Sequence, residues 1–213
     1  ISMRPLYAWD VSAQSPYLPQ VGIFLCPSDK PKAKLADHPA YREAGQHNYV
    51  FNAGDRSERS FGGVQSSGTN AWCTGDGKFT PLATLTLRGL FGLNSMLTAG
   101  HVKDGLSNTL AMSECTRPSS GGYRGDWPTV NDADGIGNNA GGSPATCTAT
   151  FNGGRYSGGV AIAGRSPGAR WCQGRSVFVG FNTMVPPNGP TCAGYLTPRS
   201  RHPGGVEALM ADG

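Results

Sequence analysis

The residues predict an antiparallel β-sheet carrying long insertions and little helix, and three observations lead there. Gly (32) and Pro (16) together make 48 of 213 residues, and both interrupt regular elements, Gly by admitting positive φ and Pro by removing a backbone donor. Apolar residues reach only 38% and charged residues only 15%, so the remainder is small and neutral. The apolar runs are short and bounded by turn signals, as strands of a loop-rich sheet are. The length predicts one domain over 1–213.

Taken in order, residues 1–25 read as an extended lead-in, with Pro5, Pro16 and Pro19 set between aromatic residues. Residues 27–45 are polar, with one helical turn expected near Ala33–Ala36. Gln46–Asn52 favours a strand and ends at the turn Ala53-Gly54-Asp55. Residues 54–80 read as a long loop tethered by Cys73, and Leu82–Leu93 as a strand or the floor of a loop. Asp104-Gly105 is a turn, and Asn108–Glu114 a core strand. Residues 117–159 are the most irregular part, and Gly159–Ala163 is a short apolar run. Ser176–Asn182 is the clearest strand, mixing β-branched and aromatic residues. Pro186-Pro187-Asn188-Gly189 is a turn, Val206–Met210 a core strand, and Asp212-Gly213 a closing turn.

The charge balance argues against a nucleic-acid partner. The net charge is +4, and the nearest approach to a basic run, Lys30-Pro31-Lys32-Ala33-Lys34, lacks the clustered stripe and stacking platforms such a partner needs. No stretch reaches the ~20 apolar residues of a membrane helix. The six cysteines, Cys26, Cys73, Cys115, Cys147, Cys172 and Cys192, are even in number, widely spaced and free of C-x-x-C pairs. That pattern fits disulfides in an oxidising compartment, against buried thiols in a reducing one. Six cysteines allow fifteen pairings, and all stay open. Short-spaced ligand pairs are missing, so a zinc site is not expected.

Two local patterns touch on chemistry. Gly164-Arg165-Ser166-Pro167-Gly168 spells G-x-S-x-G. A nucleophile elbow draws half its oxyanion hole from the N–H after the serine, and Pro167 has none, so the segment reads as a Gly/Pro turn. Asn131-Asp132-Ala133-Asp134-Gly135 resembles the start of a calcium loop, with Asp132 and Asp134 as candidate ligands; position 141 is Gly where an EF-hand needs its bidentate Glu. The bland alternative is an Asx-turn loop. No other cofactor is expected. Tyr123-Arg124, Trp127, Arg155-Tyr156 and Arg170-Trp171 could stack on sugars or meet an acidic polysaccharide, or cover a loop-rich core.

The C-terminal segment is more specific. Ser200-Arg201-His202-Pro203-Gly204-Gly205 leads into Val206–Ala211 and then Asp212-Gly213. This resembles the H-x(9)-DG motif associated with prepilin-type processing in the domain-of-unknown-function family 1559, secreted pilin-like proteins of bacteria. Cys26-Pro27-Ser28-Asp29, Asn48-Tyr49 to Gly54-Asp55, Gly89–Ser95, Lys103–Glu114 and Gly180–Cys192 resemble further family segments in the same order. The resemblance implies an α+β, pilin- or pseudopilin-like head on an N-terminal helix, with an antiparallel sheet and long loops. It implies a structural subunit of an extracellular or cell-surface filament, homo-oligomeric and without catalysis. Contact with the membrane would come only through a helix preceding Ile1, and a further strand would follow Gly213. A surface module binding a glycan or envelope ligand is the alternative. His202, Gly204, Gly205, Asp212 and Gly213 are the motif residues, and His202 and Asp212 are expected to brace the two ends of strand 206–210. Because Cys26 and Cys192 both fall in family segments, the resemblance suggests pairing them. The other four cysteines lie outside those segments.

Overall fold

The computed structural model describes residues 19–29, 45–55, 89–91, 97–117, 145, 148, 151–152, 155–156, 167–168, 170–172, 176–190 and 196–213. Its centre is a four-stranded sheet of β1 (Tyr49–Asn52), β2 (Leu110–Glu114), β5 (Gly180–Phe181) and β6 (Ala208–Met210), in the order β5-β1-β2-β6. A separate antiparallel pair joins β3 (Phe151–Asn152) to β4 (Arg155–Tyr156). The expected segments around β1 and β2 do form strands, each a few residues shorter than the sequence suggests. Asp104-Gly105 and Pro186–Gly189 are turns, as expected.

The sheet is mixed, not antiparallel throughout. β2 pairs antiparallel with both β1 and β6, but β5 runs parallel to β1, with Phe51 opposite Gly180 and Asn52 opposite Phe181. A parallel neighbour needs a long crossover, and the chain between Asn52 and Gly180 supplies one. No expectation of loop length could distinguish the two directions.

Two strand expectations are corrected. Ser176–Val179 is a single helical turn, α1, and only Gly180–Phe181 is strand. The β-branched composition loses here to tertiary context. The turn buries Phe178 completely, beneath the Arg170 guanidinium 5.3 Å from its ring centroid. Val206–Met210 yields only β6, at the sheet edge, with Ala208 and Leu209 exposed. β6 therefore closes the sheet without entering the core.

The core lies where β1, β2 and β5 meet. Val50, Cys115 and Phe181 pack together, with Leu110 against them. β1 alternates as a half-buried strand does, with Val50 and Asn52 inward. Phe51, at an alternate position, stacks on Phe91 at 4.9 Å between ring centroids. Asn52 ties the sheet at two points: its amide donates to the Leu110 carbonyl at 2.7 Å, and its side-chain oxygen accepts the Gly54 N–H at 2.8 Å.

Pro167-Gly168, from the G-x-S-x-G segment, forms a turn beneath this core. Gly168 has φ +81, and a Cβ there would meet the His47 carbonyl oxygen at 2.7 Å. Its N–H donates to Phe178 and its carbonyl accepts from His47. The Gly/Pro-turn reading thus describes this part of the segment. Trp171 donates its indole N–H to the Pro19 carbonyl at 3.1 Å and stacks on Phe24. Arg170 and Trp171 are therefore engaged in packing. Tyr123, Arg124 and Trp127 lie outside the described residues. Among the described residues no helix is long and apolar enough to cross a membrane.

Candidate functional site

Four segments distant in sequence meet at one end of β1 and β2. The Cys26–Asp29 turn is closed by the Asp29 N–H donating to the Cys26 carbonyl at 3.1 Å. It lies against Asn48, which donates its backbone N–H to the Phe24 carbonyl. β2 delivers Glu114 and the chain after it delivers Arg117. The segment 196–202 passes alongside, with the Arg199 N–H donating to the Glu114 carbonyl at 2.9 Å.

The lower layer of this junction is a buried polar clasp built on Asp29 and Asn48. Asn48, 1% exposed, uses its whole side chain. Its oxygen accepts the Cys26 N–H at 2.9 Å, and its nitrogen donates to Asp29 Oδ2 at 2.7 Å and to the Cys115 carbonyl at 2.8 Å. Asp29 Oδ2 also accepts the Arg117 backbone N–H at 2.7 Å, and Arg117 Nη2 donates to the Asp29 carbonyl. Arg201 Nε donates to Asp29 Oδ1. Burial works to raise the Asp29 pKa, but hydrogen bonds from Arg117, Arg201 and Asn48 outweigh it, and the carboxyl sits below its ordinary 3.8. Asp29 is thus a carboxylate held by donors from three other segments.

The upper layer holds Cys26, Glu114 and His202, whose donor atoms all lie within 4.8 Å of one another. His202 Nε2 is 3.5 Å from Cys26 Sγ and 3.7 Å from Glu114 Oε2. Each ligand-type residue is positioned by a backbone or side-chain bond. Glu114 Oε1 accepts the Glu207 N–H at 2.7 Å, which aims Oε2 at His202. The His202 N–H donates to Ser200 Oγ at 3.0 Å, and the Ser200 N–H donates to Asn188 Oδ1 at 2.9 Å. Cys26 and Glu114 are buried, while the His202 side chain is 39% exposed. It borders an open groove of about 640 Å³ lined by Pro187, Asn188, Arg201, Pro203, Gly204 and Val206, among others. Gly204, with φ +96, makes the turn that carries the chain from His202 back to β6.

The sequence-predicted residues are distributed unevenly over this site. His202, Gly204 and Gly205 are in it. Asp212 lies exposed in the turn after β6, where the Gly213 N–H donates to the Met210 carbonyl at 3.2 Å. The His202 ring faces Cys26 and Glu114. Cys26 and Cys115 are buried free thiols and Cys172 a half-buried one. Burial pushes the Cys115 thiol up to about 12, leaving it inert. Cys73, Cys147 and Cys192, and the candidate calcium ligands Asp132 and Asp134, lie outside the described residues. Reading by residue type missed Arg117 and Arg201 as clasp donors and Glu114 as a site residue. Glu114 had a signal, because it ends the Lys103–Glu114 segment; Arg117 had none.

Cys26–Asp29, Asn48, Glu114, Asn188 and His202 fall in segments that resemble the family, while Arg117 and Arg199 lie outside them. A family model described as a protein of unknown function (DUF1559) matches residues 3–213, and the chain belongs to that family. No curated protein and no solved structure matches the chain.

Proposed function

We propose that this chain is the non-catalytic head of a structural subunit in an extracellular, pilus- or pseudopilus-like filament. The observation that carries the reading is where the family segments spend their polar residues. Asp29, Asn48 and Arg201 are bonded to one another or to backbone inside the molecule. They tie distant chain segments together, which a scaffold requires and a reactive cleft does not.

Exposed apolar side chains agree with assembly. Ile23 is 81% exposed, and Leu209 on the β6 edge is 45% exposed. Burying such groups against neighbouring copies would remove apolar surface from water. The glycan-binding reading is weaker, because Arg170 and Trp171 already pack against Phe178 and Phe24.

Electron microscopy of the full-length protein tests the proposal. Regular filaments of uniform diameter are expected. A full-length protein that stays monomeric at high concentration, in the membrane-bound and detergent-extracted states alike, would overturn it.

A further inference from the structure

The geometry points to a divalent transition-metal site, with zinc as its natural occupant, formed by Cys26 Sγ, Glu114 Oε2 and His202 Nε2. The reading stands independently of filament assembly. Its first support is metric. A tetrahedral ion with ordinary Zn–S, Zn–N and Zn–O lengths sets its sulfur about 3.6 Å from nitrogen and its nitrogen about 3.3 Å from oxygen. The observed separations are 3.5 Å for Cys26 Sγ to His202 Nε2 and 3.7 Å for His202 Nε2 to Glu114 Oε2. Those two separations need shifts of at most about 0.4 Å, and the Cys26 sulfur and the Glu114 carboxylate lie within 4.8 Å of each other.

The second support is which nitrogen is used. In a Cys-His-carboxylate catalytic unit the thiol and the carboxylate engage opposite ring nitrogens, so that the acid orients the base. Here the thiol and the carboxylate both converge on Nε2. That arrangement gives no relay, but it is what three donors aimed at one common point produce.

Third, the donors are held from behind. The Glu207 N–H fixes the other oxygen of Glu114, and Asn48 fixes the backbone N–H of Cys26. Such outer contacts orient metal ligands and sharpen affinity. The mixed sulfur, nitrogen and oxygen set selects a borderline ion over calcium or magnesium, which take oxygen alone. Three protein donors leave a fourth position, on the side where His202 is exposed to the groove. A water or an anionic group of a partner would fill it. The sequence argued against zinc because no two ligands stand close together along the chain. The fold supplies the proximity instead.

The test uses the whole chain, reduced and stripped of metal. Isothermal titration with Zn²⁺ should show one site and a raised melting temperature. Co²⁺ should give a thiolate-to-metal charge-transfer band together with the ligand-field bands of a tetrahedral ion. Cys26→Ser should abolish the charge-transfer band, while Cys172→Ser should keep it. His202→Gln and Glu114→Gln should each weaken Zn²⁺ binding at least about tenfold. The half-exposed His202 makes its variant the safeguard should Cys26→Ser fold poorly. A Co²⁺ complex lacking the thiolate band, a band that survives Cys26→Ser, or affinity unchanged in His202→Gln would overturn the assignment. So would peptide mapping of the nonreduced native protein that finds Cys26 in a disulfide with Cys192 or any other cysteine.

Discussion

Asn48 and Asp29 show how much a buried polar residue can fix. Asn48 makes three bonds to three separate groups, and all three bonds are buried. Asp29 neutralises the buried Arg117, 6% exposed, and meets Arg201 on its other oxygen. Removing one partner of a buried pair leaves the other charge uncompensated, at a cost of about 3–5 kcal/mol. Asp29→Ala is therefore expected to lose about 3–5 kcal/mol in denaturant unfolding. A loss under about 1 kcal/mol would show that water replaces the carboxylate and that the clasp is not structural.

At the scale of elements, β5 and β6 occupy opposite edges of the sheet but have different status. β5 is two residues long, yet Phe181 is 1% exposed and packs on Val50 and Cys115. β6 is longer, but Leu209 is exposed and its register with β2 shifts between Leu110 and Met112. Phe181→Ala should cost about 3–5 kcal/mol through the cavity it leaves. Leu209→Ala should cost less than about 1 kcal/mol, because little surface returns to water. Thermal unfolding of the two variants checks the contrast, and equal losses would mean that β6 is part of the core.

For the whole molecule, two buried titratable groups set the acid limit of stability. Burial drives the His47 pKa from 6.5 to about 4, with the nearby Phe178 backbone opposing it. The unfolded chain then binds more protons than the folded one between those values, so stability is full above pH 6.5 and falls as pH drops toward 4. The loss over that window is on the order of 3 kcal/mol. Asp29 acts lower down: its depressed pKa stabilises the fold above 3.8, and the contribution disappears as pH falls through the folded value. Unfolding free energy measured from pH 8 to pH 4 should decline below pH 6.5, and His47→Gln should flatten that decline. A flat profile in the parent protein would show that His47 takes up its proton as readily in the folded state as in the unfolded chain.

Sequence by itself determined the elements whose pattern is local. Turns at Asp104-Gly105 and Pro186–Gly189 follow from the φ demands of Gly, Pro and Asn. Strands around Val50 and Ala111 follow from short apolar runs between such turns. Family membership was also legible, because ordered motifs survive without any knowledge of contacts. Tertiary structure alone decided the rest. It set β5 parallel to β1, turned Ser176–Val179 into a helical turn, and left β6 exposed at the sheet edge. It also brought Cys26, Glu114 and His202 together. The physical reason is common to all four: each depends on which distant segment is a neighbour, and neither propensity nor spacing encodes that. A motif shows that His202 matters; only the packed chain shows that it faces Cys26 and Glu114.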